Sequence, residues 1–176
     1  MILRLSQKLA KKIKAGKLSE MPLDENPYAD WSCHLFTADR TQYIIVCNTA
    51  SMYSCVMHGK GITDDSRFIE RALTTIREFM EDDGEQFAYR KHIKSETETV
   101  CFAKALNRSV IGSINELVMA AEIHLIEGDM APHDVGFKLN GFLLSAIAGE
   151  GDHGYGKPKE AFKRLANQLG EAGTGD

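Results

Sequence analysis

Three short β-rich segments lie between Trp31 and Met57, and the gaps between them are only as long as turns. β-branched, aromatic and other apolar residues, which favour strands, dominate residues 31–37, 41–47 and 51–57. Strands joined by such short gaps pair as antiparallel neighbours. The spacing therefore predicts an antiparallel meander at the centre of the fold.

The turns suggest a register for this meander. A two-residue turn at Asp39 and Arg40 would place Leu35 opposite Ile44, and a similar second turn would place Cys55 opposite Ile44. One face would then carry Trp31, Cys33, Leu35, Ile44, Val46, Tyr53, Cys55 and Met57. The other face would carry Phe36, Tyr43 and Ile45. Since both faces are apolar, we expect helices or a second subunit to cover both sides.

The rest of the chain alternates helical and strand patterns. We predict strands at 2–5, 86–93 and 98–104, and helices from Ser6 to Gly16, over 65–82, from about 109 to 125, over 135–147 and from Pro158 to Leu169. Together these predict an α+β fold, with a mainly antiparallel sheet of five or six strands, three to five helices and a helical C-terminal third. Residues 1–169 are predicted to form one domain and 170–176 a flexible tail.

Composition excludes several classes of protein. The 176 residues are 43% apolar and 26% charged with a net charge of −4, which is typical of a soluble globular chain. No long uninterrupted apolar run and no secretory signal pattern are found, so the sequence predicts a cytoplasmic protein without a membrane span. The four cysteines contain no C-x-x-C pair and are predicted to be free and mostly buried. No metal site and no cofactor motif are predicted.

Four motifs are distinctive, at residues 2–9, 31–40, 43–49 and 104–116. They resemble a bacterial family known only as a domain of unknown function, and the resemblance covers roughly residues 1–127. This resemblance implies a compact bacterial α+β domain. It implies no activity, cofactor or catalytic residue.

The N-terminus is strongly basic. Six of the 21 lysines and arginines lie in the first 17 residues, before any acidic residue. Lys8, Lys11 and Lys12 share one helix face, which suggests a phosphate-binding patch for nucleic acid. The alternative is an ordinary solvated helix face.

A second candidate site lies where a predicted strand meets a predicted helix. Asn107, Arg108 and Ser109, with Lys104 nearby, could present a helix N-terminus and two cations to a small anion. The alternative is ordinary helix capping by Asn107 or Ser109.

Other motifs are weaker. The glycine-rich segment 149–158 is not a phosphate loop because Pro158 follows the lysine, and we predict a flexible linker to the last helix instead. The acidic run 81–83 is either a solvated helix end or a surface for a partner. Three functions stay open: a non-enzymatic binding or regulatory module acting through a protein partner or a second copy, a nucleic-acid-associated module, and an enzyme acting on a small anion with a nearby histidine as its acid-base group.

Overall fold

The computed structural model describes residues 1–149 and 153–172, without the side chains of 170–172. Within these residues the strands are β1 (Ile2–Leu5), β2 (Asp30–Ala38), β3 (Thr41–Asn48), β4 (Ser54–His58) and β5 (Cys101–Ala103). The α-helices are α1 (Gln7–Lys12), α2 (Asp65–Asp82), α3 (Gln86–Ala88), α4 (Arg108–Ile126), α5 (Pro132–Leu139) and α6 (Pro158–Ala172). Short 3-10 turns cover Pro27–Ala29, Lys94–Glu98 and Ser145–Ile147, and a π-helical turn covers Tyr89–Ile93.

The sheet confirms the α+β class but is mixed rather than mainly antiparallel. The strand order is β4-β3-β2-β1-β5. The meander β2-β3-β4 is antiparallel, whereas β1 runs parallel to both β2 and β5. Parallel pairing needs a long crossover, and the connections that leave β1 and enter β5 contain helices. The spacing of the meander could not reveal these distant pairings.

The register of the first hairpin is confirmed, and that of the second differs by two residues. Leu35 faces Ile44 as predicted, but Ile44 faces Met57 instead of Cys55. The second turn is longer because the Asn48 side chain accepts a hydrogen bond from the Ser51 N–H at 3.0 Å, and β4 starts only at residue 54. A shift of two residues keeps every side chain on its face, so the predicted apolar face is confirmed.

Two hydrophobic cores lie on the two sides of the sheet, and the chain's own helices cover both. The first core contains the face with Trp31 and packs against α1, α2 and α6. The second contains Phe36 and Ile45 and packs mainly against α4 and α5. The sheet therefore needs no second subunit to cover it.

The cysteines are free, and three of them are buried: Cys33, Cys47 and Cys55. Burial raises the pKa of the Cys47 thiol to about 12, so this thiol stays protonated and unreactive at neutral pH. Cys101 departs from the expected burial, since it is exposed on the edge strand β5.

Helix α2 has the predicted bounds, and Asp64 is its N-cap, accepting from the Arg67 N–H at 2.9 Å. The predicted strand at 86–93 is wrong. Gly84, with a φ of +81°, ends the helix, and residues 86–98 then form consecutive helical turns in which Phe87 is 72% exposed. The apparent alternation in this segment does not correspond to a half-buried strand.

Three helix ends also differ from the predictions. Helix α1 ends at Lys12 rather than Gly16, and Lys14 takes the left-handed conformation with a φ of 55°. Helix α5 ends at Leu139, so the predicted helix over 135–147 is too long. Helix α6 continues to Ala172 instead of ending at Leu169, and residues 173–176 lie outside the described part.

Helix α4 is the one helix of the described residues whose length and apolar composition would allow it to cross a membrane. The core helix of a soluble protein passes the same test. One side of α4 packs in the second core through Ile114, Leu117 and Ala121.

Candidate ligand-binding site

A cavity of about 650 Å³ opens where β1 and β5 end. This volume lies within the range of small-molecule sites in proteins. Its walls are formed by Leu5, Ser6, Gln7, Lys17, Leu18, His34, Lys104, Ala105 and Ile111. A second cavity, of about 620 Å³, shares Lys104 and Ala105 with it.

The position of the cavity follows from the parallel pairing of β1 with β5. In open sheets with parallel strands, ligands commonly bind beyond the carboxyl ends of the strands. The Ser6 N–H donates to the Cys33 carbonyl at 3.0 Å, and the Ser6 hydroxyl accepts from the Leu9 N–H at 3.3 Å, which starts α1. On the other side, the Lys104 N–H donates to the Ser19 carbonyl at 2.9 Å. Two strand ends and the 17–19 segment therefore meet around one space.

A buried ion pair holds these walls together. Arg4 and Asp30 are 1% and 0% exposed, and the Arg4 Nη2 lies 2.7 Å from the Asp30 Oδ2. The other Arg4 donors bind the carbonyls of Met21, Pro22 and Lys104. All five guanidinium N–H groups are thus used within the protein, so Arg4 positions the cavity wall and has no donor left for a ligand.

The cavity is positively charged and has apolar walls. Lys17 and Lys104 line it, and within residues 1–149 and 153–169 no aspartate or glutamate does. The Lys104 Nζ lies 3.3 Å from the Glu20 Oε1 at an exposed position, whereas Lys17 has no ion-pair partner among the residues that the structure describes. Both lysines are exposed at the mouth of the cavity, so water partly screens their attraction for an anion.

His34, on β2, is one of the residues that line the cavity. Its side chain is half-buried, and burial lowers the pKa of the imidazole. In the described part of the chain neither ring nitrogen has a hydrogen-bonding partner. At neutral pH His34 is therefore a neutral group with one donor and one acceptor to offer a ligand.

The structure separates the four residues that the sequence suggested for an anion site. Lys104 lines the cavity. Asn107 is the N-cap of α4 and accepts from the Val110 N–H at 2.9 Å, so it serves the helix itself. Arg108 and Ser109 are exposed in the first turn of α4, outside the cavity walls.

The three lysines suggested for nucleic acid lie on α1, which has only six residues. Lys8 and Lys11 are exposed, and the Lys12 Nζ donates to the Gln42 Oε1 at 2.8 Å. The nucleic-acid function stays a prediction.

The acidic run at the end of α2 anchors other helices. The Asp82 Oδ2 lies 2.9 Å from the His133 Nε2, which ties α5 to α2. Asp83 accepts at 2.7 Å from both the Tyr53 hydroxyl and the Lys159 Nζ, which ties α6 to the same end. These contacts could not be predicted from the sequence because up to 76 positions separate the two residues of a pair.

Two further features are the side chains able to bind a metal ion and the glycine-rich segment 149–158. Within residues 1–149 and 153–172, no three His, Cys, Asp or Glu side chains come together to hold a metal ion. The glycine-rich segment predicted as a linker lies partly outside the described residues. Its end is fixed by a bridge between Leu144 and Gly156.

Sequence reasoning missed Gln7, Lys17 and His34 as cavity residues. The available signal was the pair of strand-to-helix junctions, at Ser6 and at Asn107. Only the parallel pairing of β1 and β5 shows that these junctions lie side by side.

Comparison with known proteins identifies a family but no activity. The family model described as a domain of unknown function (DUF6933) matches residues 2–161. The match extends well beyond the residues 1–127 that carried the resemblance in sequence. Among curated proteins, none matches the sequence.

Proposed function

Because the chain belongs to the DUF6933 family of domains of unknown function, we propose a function from its own geometry: it is a binding module for a small anion with an apolar body. One observation carries this proposal. Among the residues that the structure describes, the cavity beside β1 and β5 combines two lysines, a histidine without a hydrogen-bonding partner and apolar walls, and no carboxylate lines it.

The walls suggest how such a ligand would lie. Its carboxylate or phosphate would lie near Lys17 and Lys104, where charge-assisted hydrogen bonds are strongest. Its apolar body would pack against Leu18 and Ile111, and His34 would hydrogen-bond a polar group. A few polar groups in a largely apolar cavity are typical of small-molecule sites.

We infer a binding rather than a catalytic role. The Ser6 hydroxyl is engaged as the N-cap of α1, and none of the described residues places a carboxylate beside His34 in the cavity to orient it as a catalytic base. We also propose a bacterial, cytoplasmic setting, supported by the family resemblance and by four free cysteines, which are typical of a reducing compartment.

The test is an NMR titration of the ¹⁵N-labelled protein with octanoate, octanol and octylamine, which share one apolar chain. We expect octanoate to bind best and to shift the amide signals of Leu18, Lys104 and Ile111. Octanol should bind more weakly and octylamine not at all. Equal binding of octanoate and octanol would contradict the anion preference, and no shifts at the cavity would contradict the proposal as a whole.

Variants that remove one lysine charge test whether Lys17 contacts the carboxylate of octanoate. Lys17→Gln should weaken octanoate binding roughly tenfold and leave octanol binding unchanged, because it removes one charge-assisted contact. Lys138→Gln is the matched control, since Lys138 is an exposed lysine on α5 that does not line the cavity. If both variants reduced octanoate binding equally, a general charge effect would replace the proposed contact.

A further inference from the structure

The ion pair between Lys104 and Glu20 lies where the two neighbouring cavities adjoin. Lys104 lines both the cavity of about 650 Å³ and the cavity of about 620 Å³, whereas Glu20 lines only the second. The Lys104 Nζ lies 3.3 Å from the Glu20 Oε1. Among the residues that the structure describes, no other carboxylate lines either cavity. One cation and one anion therefore lie side by side at the junction of the two cavities.

The backbone that carries these two side chains is held in place. The Lys104 N–H donates to the Ser19 carbonyl at 2.9 Å, and Ser19 bridges to the end of β5. Arg4 donates to the Lys104 carbonyl at 3.2 Å and to the Met21 carbonyl at 2.9 Å. The residues on both sides of Glu20 are thus tied to the backbone of Lys104. A ligand meets two charges whose positions are largely preorganised.

We propose that the ligand is an α-amino acid with an apolar side chain, which binds by exchanging charges with this ion pair; the inference rests on the proposed function of the cavity. The ligand carboxylate takes the place of Glu20 on Lys104 and lies near Lys17. The ligand ammonium group binds the Glu20 carboxylate. The apolar side chain enters the first cavity and packs against Leu18 and Ile111.

The number of ion pairs favours such a zwitterion over a simple anion. A carboxylate alone exchanges one ion pair for another, because it binds Lys104 and separates Glu20 from its partner. An α-amino acid forms two ion pairs where one existed. The side chains of Lys104 and Glu20 are 54% and 85% exposed, and exposed ion pairs contribute little to stability. A ligand therefore displaces this pair at little cost.

The distance between the two charges selects an α-amino acid. Because Lys104 and Glu20 are only 3.3 Å apart, the two groups that bind them must also be close neighbours. Ordinary bond lengths and angles place the ammonium nitrogen of an α-amino acid roughly 3 Å from its carboxylate oxygens. An amino acid with its ammonium group at the far end of an apolar chain would have to fold the chain back on itself to place both charges there.

The experiment titrates the ¹⁵N-labelled full chain with octanoate, 2-aminooctanoate and 8-aminooctanoate and measures their affinities by NMR. The two amino acids are isomers that carry the same charges at different separations. We expect 2-aminooctanoate to bind roughly threefold more tightly than octanoate, because one additional exposed ion pair forms. We expect 8-aminooctanoate to bind more weakly than either, because its ammonium group lies at the end of the chain that enters the apolar cavity.

The variant Glu20→Gln should change the affinities of the two main ligands in opposite directions. Octanoate should bind about twofold more tightly because Glu20 no longer competes for Lys104, whereas 2-aminooctanoate should bind about fivefold more weakly because its ammonium group loses its partner. Glu25→Gln is the matched control, since Glu25 is an exposed glutamate between α1 and β2 that lines neither cavity. It should leave both affinities unchanged, and circular dichroism checks that both variants are folded.

The results distinguish this inference from the proposed function. If octanoate binds at the cavity and 2-aminooctanoate binds no more tightly, the α-amino acid is wrong and the anion site stands. Equal affinities of the two isomers would also overturn the inference. A preference for 2-aminooctanoate that persists in Glu20→Gln would show that Glu20 does not bind the ammonium group. If none of the ligands shifts the signals of Leu18 and Ile111, both proposals fail.

Discussion

The Arg4 guanidinium and the Asp30 carboxylate form a buried two-point ion pair, with Nε–Oδ1 at 2.8 Å and Nη2–Oδ2 at 2.7 Å. The pair joins neighbouring parallel strands. Asp30 also accepts from the Asp24 N–H at 3.1 Å, and Arg4 binds the Lys104 carbonyl. One ion pair thus fixes the sheet, the loop before β2 and the wall of the cavity.

We expect Asp30→Asn to reduce the free energy of unfolding by about 3–5 kcal/mol. It keeps the size of the side chain but leaves the Arg4 charge buried without a counter-ion. Glu20→Gln is the control because Glu20 pairs with Lys104 at the surface, where an ion pair contributes less than about 1 kcal/mol. Denaturant unfolding measures the free energy of unfolding of both variants. Similar losses in the two variants would show that the Arg4–Asp30 pair does not hold the fold.

We expect Asn140→Asp to destabilise the fold by about 1–3 kcal/mol. The Asn140 Oδ1 accepts from the Ser54 N–H at 2.7 Å and its Nδ2 donates to the Ser54 carbonyl at 2.9 Å, as a neighbouring strand would. A carboxylate removes the donor and faces the carbonyl directly. Asn115→Asp, the same change at an exposed position of α4, should have little effect on thermal unfolding. A larger loss in Asn115→Asp than in Asn140→Asp would contradict this role.

Local patterns predicted the elements whose partners are close in sequence. Leu35 and Ile44 are joined by a short turn, and the stripe of α2 is contained within one helix, so both were predictable. Segments whose stabilising contacts come from residues distant in the sequence were not predictable. The helical turns at 86–93 look like a strand in isolation, and Asn140, which ends α5, bonds a residue 86 positions away.

The candidate site shows the same limit. Lys104 was predicted for an anion site because a helix start lies near it in the sequence. Lys17 and His34 could not be predicted as site residues, because only the pairing of β1 with β2 and β5 brings them to the cavity. Asn107 was proposed both as a ligand group and as a cap, and only its 2.9 Å contact with the Val110 N–H shows that it is the cap.

We expect Asn107→Ala to reduce stability by about 1 kcal/mol, because the first turn of α4 loses its N-cap. Ser109→Ala is the control, since Ser109 is exposed and lies inside the helix. Thermal unfolding measures both variants, and the octanoate titration reports on the cavity. Octanoate binding should be unchanged in Asn107→Ala. A large loss of binding without a loss of stability would make Asn107 a ligand group after all.

The last prediction concerns the pH dependence of stability and binding. Because burial lowers the pKa of His34, the folded chain favours the neutral imidazole. The unfolded chain takes up this proton near pH 6.5, so stability is full above that value. Stability then falls as the pH decreases from about 6.5 through the lower pKa of the folded state. His34→Gln should therefore lose less stability between pH 7 and pH 5 than the wild type.

NMR titration of the His34 ring signals measures the same effect directly. The midpoint should lie below 6.5 in the free protein and move upward when octanoate is bound, because an anion beside the ring favours its protonated form. A midpoint at or above 6.5 in the free protein would mean that the ring is solvated rather than buried. An unchanged midpoint with octanoate bound would place the carboxylate away from His34.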